Sequence, residues 1–258
     1  MIWQKAGTLL RPHAPTVGAV TALLAVWEAW VRLAQQPGEA GLLAAPSEVL
    51  LAIPDSWDTL GPASLVTAIE GVAGFALAVA AGLLIGVGLY RWRALNRALF
   101  PLLYAAQAMP LIAIAPLFLI WFGFEISGKI AIVAIFGLFP VAVATIRGLA
   151  AVPQFYADVA LTSGATEAWT LWNVKLRVAA RQIFGGVRVS AAYIFATAAT
   201  AEYLGARAGL GIWLQAAYNS FRTPLIFAAA LVIILLTAAL MLVVNLAERL
   251  LLGAPEFQ

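Results

Sequence analysis

The sequence predicts an all-α integral membrane protein, a single transmembrane domain over residues 1–258 with about six spanning helices. Composition is the first reason, since 64% of the 258 residues are hydrophobic and 10% are charged, with a mean hydropathy of +0.96. A soluble domain carries about 25% charged residues, so this chain could not cover a surface that faces water. The second reason is that long apolar runs recur along the whole chain without a polar linker. They are continuous rather than alternating, which favours helices over the strands of a β-barrel.

Six of these runs approach the length of about 20 residues that a helix needs to cross the hydrocarbon core. They cover residues 14–34, 65–89, 101–122, 130–148, 186–204 and 224–247. The first run contains Glu28 and lacks a small-residue cleavage site, so it is predicted to be a spanning helix rather than a signal peptide. Six spans place both termini on the same side of the membrane.

The distribution of Lys and Arg predicts which side that is. With an internal N-terminus, eleven of the 15 Lys and Arg residues lie on the inner face and four lie on the outer face. The inner set begins with Lys5 and Arg11, and the outer set is Arg32, Lys129, Arg207 and Arg222. Both termini are therefore predicted to be cytoplasmic.

The first outer segment and the second span carry local packing signals. In residues 35–64, which are rich in proline, "SEVLLAI" predicts a short interfacial helix with Ser47 as its N-cap. In the second span, small residues at every fourth position let a neighbouring helix approach closely. These helix-packing residues are Gly74, Ala78, Gly82 and Gly86.

The third span is expected to be a broken helix that lines a cavity. Gln107 is an amide inside an apolar run, which is costly in a membrane and indicates function, although a Gln bonded to a neighbouring helix fits equally well. Met109, Pro110 and Pro116 follow it. Each proline leaves a backbone carbonyl free, which is tolerated where protein or a watery cavity satisfies it. We expect these four residues to contribute to the substrate pathway.

The inner segment over residues 149–185 is too polar for a span and too patterned for an irregular loop. Pro153 can open a helix, Gly164 can end it in the left-handed conformation, and Thr166 can cap a second helix with Glu167 in its first turn. Two short helices that meet at a glycine would form a rigid cytoplasmic unit, which we call the knuckle (residues 153–174). After the fifth span, Glu202 precedes a turn in which Gly205, Gly209 and Gly211 permit tight, non-helical backbone.

Catalytic and metal-binding chemistry finds no support in the sequence. The chain has no cysteine, and its single histidine, His13, lies at the N-terminal membrane border, so no catalytic residue and no metal site is predicted. The segment "GFEISGKI" over residues 123–130 has the spacing of a phosphate-binding loop, but it lacks the final Ser or Thr and a preceding strand. We therefore expect no enzyme activity and no ATP or Mg²⁺ on this chain. No basic run suggests nucleic acid.

Four segments resemble a known family, the permeases of bacterial ABC importers of the nitrate, sulfonate and taurine type. Those permeases carry a cytoplasmic loop of EAA, three residues and Gly. Here "DVALTSG" has Asp158 and Val159 in the first two places, with Ala160 and Gly164 as in the family. The segments "TAIEGVAGFALAVAAGLLIGVGL", "PLLYAAQAMPLIAIAPLFLIWFGF" and "AEYLGARAGLGIWLQAAYNSFRTPLIFAA" resemble family segments in the family's order. The resemblance covers about residues 45–250 and looks closest to the branch for thiamine pyrimidine precursors or riboflavin.

The resemblance implies the fold of a type I importer permease that moves a small organic solute or anion into the cytoplasm by alternating access. Implied partners are two copies of a cytoplasmic ATPase, which bind ATP and Mg²⁺, an external solute-binding protein, and a second permease copy in a homodimer within the bacterial inner membrane. Glu202 and the three glycines after it would form the outer gate. Coupling to the ATPase would involve Asp158, Val159, Ala160, Ser163, Gly164, Ala165 and Thr166.

One departure from the family and one alternative function remain. The family commonly has two prolines after the loop, where this chain has Arg177 and Arg181, so a straighter helix is expected before the fifth span. The alternative is a secondary transporter driven by an ion gradient. Such proteins usually have more spans, inverted repeats and midplane carboxylates, and neither a repeat nor a convincing midplane carboxylate is visible here.

Overall fold

The computed structural model describes residues 14–34 and 43–253, so Lys5, Arg11 and His13 lie outside the described residues. Every regular element in this part of the chain is a helix, which confirms the all-α prediction. A π-helical turn, Leu171–Lys175, joins α8 to α9. The α-helices are α1 (Ala14–Ala34), α2 (Pro46–Asp55), α3 (Trp57–Arg91), α4 (Arg93–Ala106), α5 (Leu111–Phe122), α6 (Ile126–Ala150), α7 (Gln154–Thr162), α8 (Glu167–Thr170), α9 (Leu176–Gly205), α10 (Leu210–Asn219) and α11 (Thr223–Leu252).

Four helical stretches of the described chain are long and apolar enough to cross a membrane: α3, α6, Glu167–Gly205 and α11. Helices α4 and α5 pass the same test only as a pair, and they are bent by 109° at the break between them. The described chain therefore has four or five candidate spans, where the sequence predicts about six. The remaining predicted span, residues 14–34, is a helix of 21 residues (α1), and its insertion in the membrane stays a prediction.

The fifth span differs most from its predicted bounds. The apolar pattern places its start at residue 186, whereas the helix runs without interruption from Glu167 to Gly205. Arg177 and Arg181 lie inside α9, and a residue other than proline keeps the backbone N–H that helix hydrogen bonding needs. The segment over residues 149–185 is therefore not a separate loop, because its second half is the beginning of the spanning helix.

The described residues form two compact units, and the first contains α1, α2, the start of α3 up to Leu60, and Leu214–Ala230. Glu28 on α1 holds the start of α2: its Oε2 accepts from Ser47 N at 3.0 Å and its Oε1 accepts from Ser47 Oγ at 2.7 Å. Ser47 is therefore not the N-cap that the sequence predicts, because α2 begins one residue earlier at Pro46, after Ala45. Pro is favourable at a first helical position, since its missing N–H would have no helical partner there.

The second unit, Gly61–Trp213 with the chain from Leu231 onward, contains the main apolar core. Helix α6 packs along α9 at the centre of this core. In the most apolar 18-residue stretch of each helix, 56% of α6 is buried, against 11% of α11. The core side chains of this pair include Val141, Leu149, Ile183, Val187 and Ala191. An apolar helix surface that stays exposed suits contact with lipid or with another membrane protein. That the two units act as one domain stays a prediction.

The small residues of α3 lie against α6 inside the second unit. A β-carbon at Gly82 would lie 2.7 Å from Val141 Cβ, and one at Gly86 would lie 2.5 Å from Thr145 Cβ. The same face includes Gly74, beside Val133, and Ala78, beside Gly137. Real β-carbons do not approach other atoms this closely, so the helices meet at this distance because the glycines have no side chain and Ala78 has only a methyl group opposite Gly137.

Candidate functional site

The knuckle contains a sharp turn at Gly164, immediately after α7. Gly164 has φ +89°, in the left-handed region that glycine adopts without a penalty. Its N–H donates to Leu161 O at 3.0 Å, and the N–H of Ala165 donates to Ala160 O at 3.0 Å. These two bonds are the pair that defines a Schellman motif. The loop motif "DVALTSG" thus ends a helix in a defined, hydrogen-bonded turn.

The chain leaves this turn through a capped helix start. Thr166 is the N-cap of α8, and its Oγ1 accepts from Trp169 N at 3.2 Å. Helix α8 is only four residues long and continues through the π-helical turn into α9. The knuckle is therefore one separate short helix, α7, joined by a hydrogen-bonded turn to the start of the helical stretch Glu167–Gly205.

Six of the seven residues that the resemblance assigns to coupling line one open groove with a volume of about 800 Å³. Aromatic side chains form much of its remaining wall, and Phe155 is 70% exposed while Trp169 is 51% exposed. Sequence analysis did not single out these aromatic residues. Asp158 is exposed on the same helix but does not line the groove. The coupling residues that do are Val159, Ala160, Ser163, Gly164, Ala165 and Thr166.

The predicted pathway residues lie at the break between α4 and α5. Gln107 is the C-cap of α4, and Pro110 is the N-cap of α5 with extended backbone. A residue before proline, here Met109, is disfavoured in helical backbone, so the chain leaves the helix at this point. All three side chains are exposed, whereas Pro116 lies inside α5 without interrupting it. The structure brings Gln107, Met109 and Pro110 together.

Glu202 lies at the centre of a buried polar contact in the second unit. It is fully buried on α9, and its Oε1 accepts from Thr67 Oγ1 at 2.7 Å. Its Oε2 accepts from Gly211 N at 2.6 Å, while Thr67 Oγ1 accepts from Leu210 N at 2.8 Å. Two of the backbone N–H groups that begin α10 are thus satisfied by side chains, and a carboxylate is favourable at a helix N-terminus. The turn after α9 is therefore fixed by hydrogen bonds.

The three glycines of this turn are needed because other groups lie very close to them. Gly209 has φ +117°, and a β-carbon there would collide with the carboxylate of Glu202. A β-carbon at Gly211 would lie 2.6 Å from Tyr203 N, and one at Gly205 would lie 2.8 Å from the ring of Phe124. The structure thus brings Glu202, Gly209 and Gly211 into one contact, whereas Gly205 lies against Phe124.

Two polar residues of α3 that sequence analysis left aside or unresolved belong to this neighbourhood. Thr67 is fully buried and joins α3 to Glu202, which is 135 positions away in the chain. Glu70 is also fully buried, and neither oxygen of its carboxyl group has a hydrogen-bond partner among the described residues. No ion pair in that part of the chain includes Glu70. A polar residue within an apolar span was the only signal for either position.

Comparison with known proteins gives a consistent result. The family model described as "Binding-protein-dependent transport system inner membrane component" matches residues 78–252. The chain is 30% identical over 215 residues to the formylaminopyrimidine transport permease protein ThiX of Halalkalibacterium halodurans, covering 83% of this chain and 85% of ThiX. It is 29% identical over 252 residues to the taurine transport system permease protein TauC of Escherichia coli, covering 93% of this chain and 90% of TauC.

A solved structure shows the same fold. The chain superposes on a chain of the MetNI methionine ABC transporter, in an inward-facing conformation, with a TM-score of 0.65. The match covers 77% of this chain and 98% of the MetNI chain at 17% sequence identity. At this identity the similarity concerns the fold alone, which is that of a type I ABC importer permease.

Proposed function

Because this chain belongs to the family of binding-protein-dependent transport system inner membrane components, we propose that it carries a solute into the cytoplasm by alternating access powered by a separate ATPase. The resemblance to ABC importer permeases of the sulfonate and taurine type is confirmed by this family and by ThiX and TauC. The chain is a multi-pass permease subunit of an ABC importer. Its placement in a bacterial inner membrane with both termini cytoplasmic is part of the proposal, supported by the excess of Lys and Arg on one face.

The observation that carries the proposal is the groove of the knuckle. An open, largely apolar groove with exposed aromatic side chains is a typical docking surface for a protein partner. It is formed where a hydrogen-bonded turn connects α7 to the helix that continues into the membrane. A partner that moved α7 would therefore move α9, which packs along α6 in the core. We assign this groove to the ATPase, which binds the ATP and Mg²⁺ in place of this chain.

The proposed complex contains two permease copies, two ATPase copies and one external solute-binding protein. The apolar surface of α11 is largely exposed, since 11% of its most apolar 18-residue stretch is buried, and it supports contacts with lipid or a second copy. Glu202 and its glycine turn would then act as the outer gate, since the turn is a fixed structure that can move only with the helices that hold it. The break at Gln107, Met109 and Pro110, with Pro116 one to two turns beyond, is proposed to line the pathway.

The proposed solute is a small organic molecule or anion. ThiX is named as a formylaminopyrimidine permease and TauC as a taurine permease, so an aromatic heterocycle and a sulfonate are the two chemical classes to test first. Both relatives match this chain over most of their length. Selection of the solute is assigned to the binding protein.

Cysteine cross-linking tests the assignment of the groove. The chain contains no cysteine, so a single Ser163→Cys substitution gives one reactive site in the groove without background. We expect a bifunctional reagent to join this site to the cognate ATPase in membranes that contain both. Ser220→Cys is the matched control, because Ser220 is exposed and follows α10 on the predicted outer side. A cross-link from Ser220→Cys to the ATPase, or none from Ser163→Cys, would contradict the assignment.

A further inference from the structure

A second pocket lies beside the knuckle within the second unit, at the junction of α3 and α4. Its volume is about 290 Å³, and its wall combines the end of α3, the start of α4 and the segment from α7 to the π-helical turn. The polar groups of the wall are contributed by Tyr90, Arg91, Arg93, Glu167, Thr170 and Lys175. None of these residues takes part in the proposed coupling groove.

The pocket is cationic, with three positive side chains and one carboxylate. The ion pairs formed among the described residues include neither Arg91, Arg93 nor Lys175. Lys175 is held against the wall, because its Nζ donates to Tyr90 Oη at 3.1 Å and lies 5.5 Å from the Tyr90 ring centroid. An ammonium group has three donors, so two remain available to a ligand.

Thr170 supplies an independent sign that something binds here. Its side chain is 2% exposed, and its Oγ1 has no hydrogen-bond partner within the described part of the chain. Buried hydroxyl groups are nearly always hydrogen-bonded, because an unpaired buried donor loses its bond to water without replacement. An anion bound among these cations would offer an oxygen atom to this hydroxyl.

We propose that this pocket binds a phosphate group, carried either by the headgroup of an anionic lipid or by free inorganic phosphate. A phosphate offers several strong acceptor oxygens, which match the guanidinium groups of Arg91 and Arg93, the ammonium of Lys175 and the hydroxyl of Thr170. Tyr90 and Arg91 belong to the spanning helix α3, whereas Thr170 and Lys175 belong to the segment that follows the knuckle turn. The bound phosphate therefore joins α3 to the base of the knuckle.

The full-length protein provides the test. Binding of inorganic phosphate is measured by calorimetric titration of the protein in nanodiscs of phosphatidylcholine alone. Retention of phosphatidylglycerol is measured by native mass spectrometry after reconstitution in a mixture of the two lipids. The variants are Thr170→Val and Lys175→Gln, and the matched control is Arg177→Gln, which removes an exposed charge that does not line the pocket.

We expect each pocket variant to weaken binding by about tenfold or more, the size of one charge-assisted hydrogen bond, while Arg177→Gln binds like the parent protein. Thr170→Val should also leave the thermal midpoint without phosphate unchanged or higher, because it removes an unpaired buried hydroxyl, and this excludes loss of fold as the cause. Binding of inorganic phosphate assigns free phosphate, and retention of phosphatidylglycerol alone assigns the lipid. Binding of neither, or equal weakening by Arg177→Gln, would overturn the proposal.

Discussion

Substitution of Gly164 distinguishes the effect of turn geometry on ATPase affinity from the effect of an added side chain on the groove surface. Gly164 has φ +89°, and apart from the two residues next to it in the chain no atom lies within 4 Å of the position that a β-carbon would occupy. A new side chain would therefore meet no neighbour inside the chain, and its cost is backbone strain alone. For an ordinary L-residue this cost is about 1–2 kcal/mol, which lowers the equilibrium constant for closing the turn by a factor of about 5–30. Asn adopts the left-handed conformation far more readily.

The measurement is the affinity of the cognate ATPase for permease variants in nanodiscs. We expect Gly164→Ala to weaken binding by a factor of up to about 30, because only molecules with the turn closed present the groove and the affinity falls with their fraction. Gly164→Asn should bind almost as well as the parent protein. Thermal stability of both variants should stay close to that of the parent, since the turn lies outside the main core. If Gly164→Asn loses as much affinity as Gly164→Ala, the added side chain blocks the contact directly and the argument from turn geometry is refuted.

Three further predictions concern helix packing, the glycine turn and the pathway. Gly82→Val should lower the free energy of unfolding, measured by thermal denaturation, by about 1–3 kcal/mol, because a β-carbon there would lie 2.7 Å from the β-carbon of Val141 on α6. The control is Gly88→Ala, which should cause no loss because no other group lies within 4 Å of its β-carbon position. Gly209→Ala should lower the thermal midpoint more than Gly123→Ala, since both glycines have positive φ but only Gly209 faces the carboxylate of Glu202 at contact distance. Equal losses would show that this contact does not contribute to stability. Gln107→Leu should change the uptake rate while the ATPase still co-purifies, and loss of the folded protein would instead favour a structural role for this side chain.

The fold class and family were accessible from the sequence because both depend on features that are local or repeated. Long apolar runs with few charges specify helices that cross a membrane, whatever their neighbours. The turn at Gly164 is similarly local, since a left-handed C-terminal cap needs only glycine at the end of a helix. The start of the helix that contains the fifth span was not accessible from hydropathy, which detects the apolar segment and not the less apolar helical residues that precede it, back to Glu167.

Contacts between distant parts of the chain could not be predicted from residue patterns. The bond between Thr67 and Glu202 joins residues 135 positions apart, and a lone Thr in an apolar run gives no sign of its partner. The proposed phosphate pocket depends in the same way on Arg91 and Thr170, which are far apart in the chain but line one cavity. The angle of 109° between α4 and α5 is also a tertiary property, because Pro110 explains why the chain leaves the helix there but not the direction in which it continues.

Uptake by proteoliposomes tests the central claim most directly. The permease is reconstituted with its cognate ATPase, the solute-binding protein is added outside, and uptake of formylaminopyrimidine and of taurine is followed with ATP inside, without ATP, and with imposed proton or sodium gradients. We predict that uptake of the solute retained by the binding protein requires internal ATP, does not respond to either gradient, and is lost when the ATPase is omitted. Uptake that ignores ATP and follows a proton or sodium gradient would contradict the account.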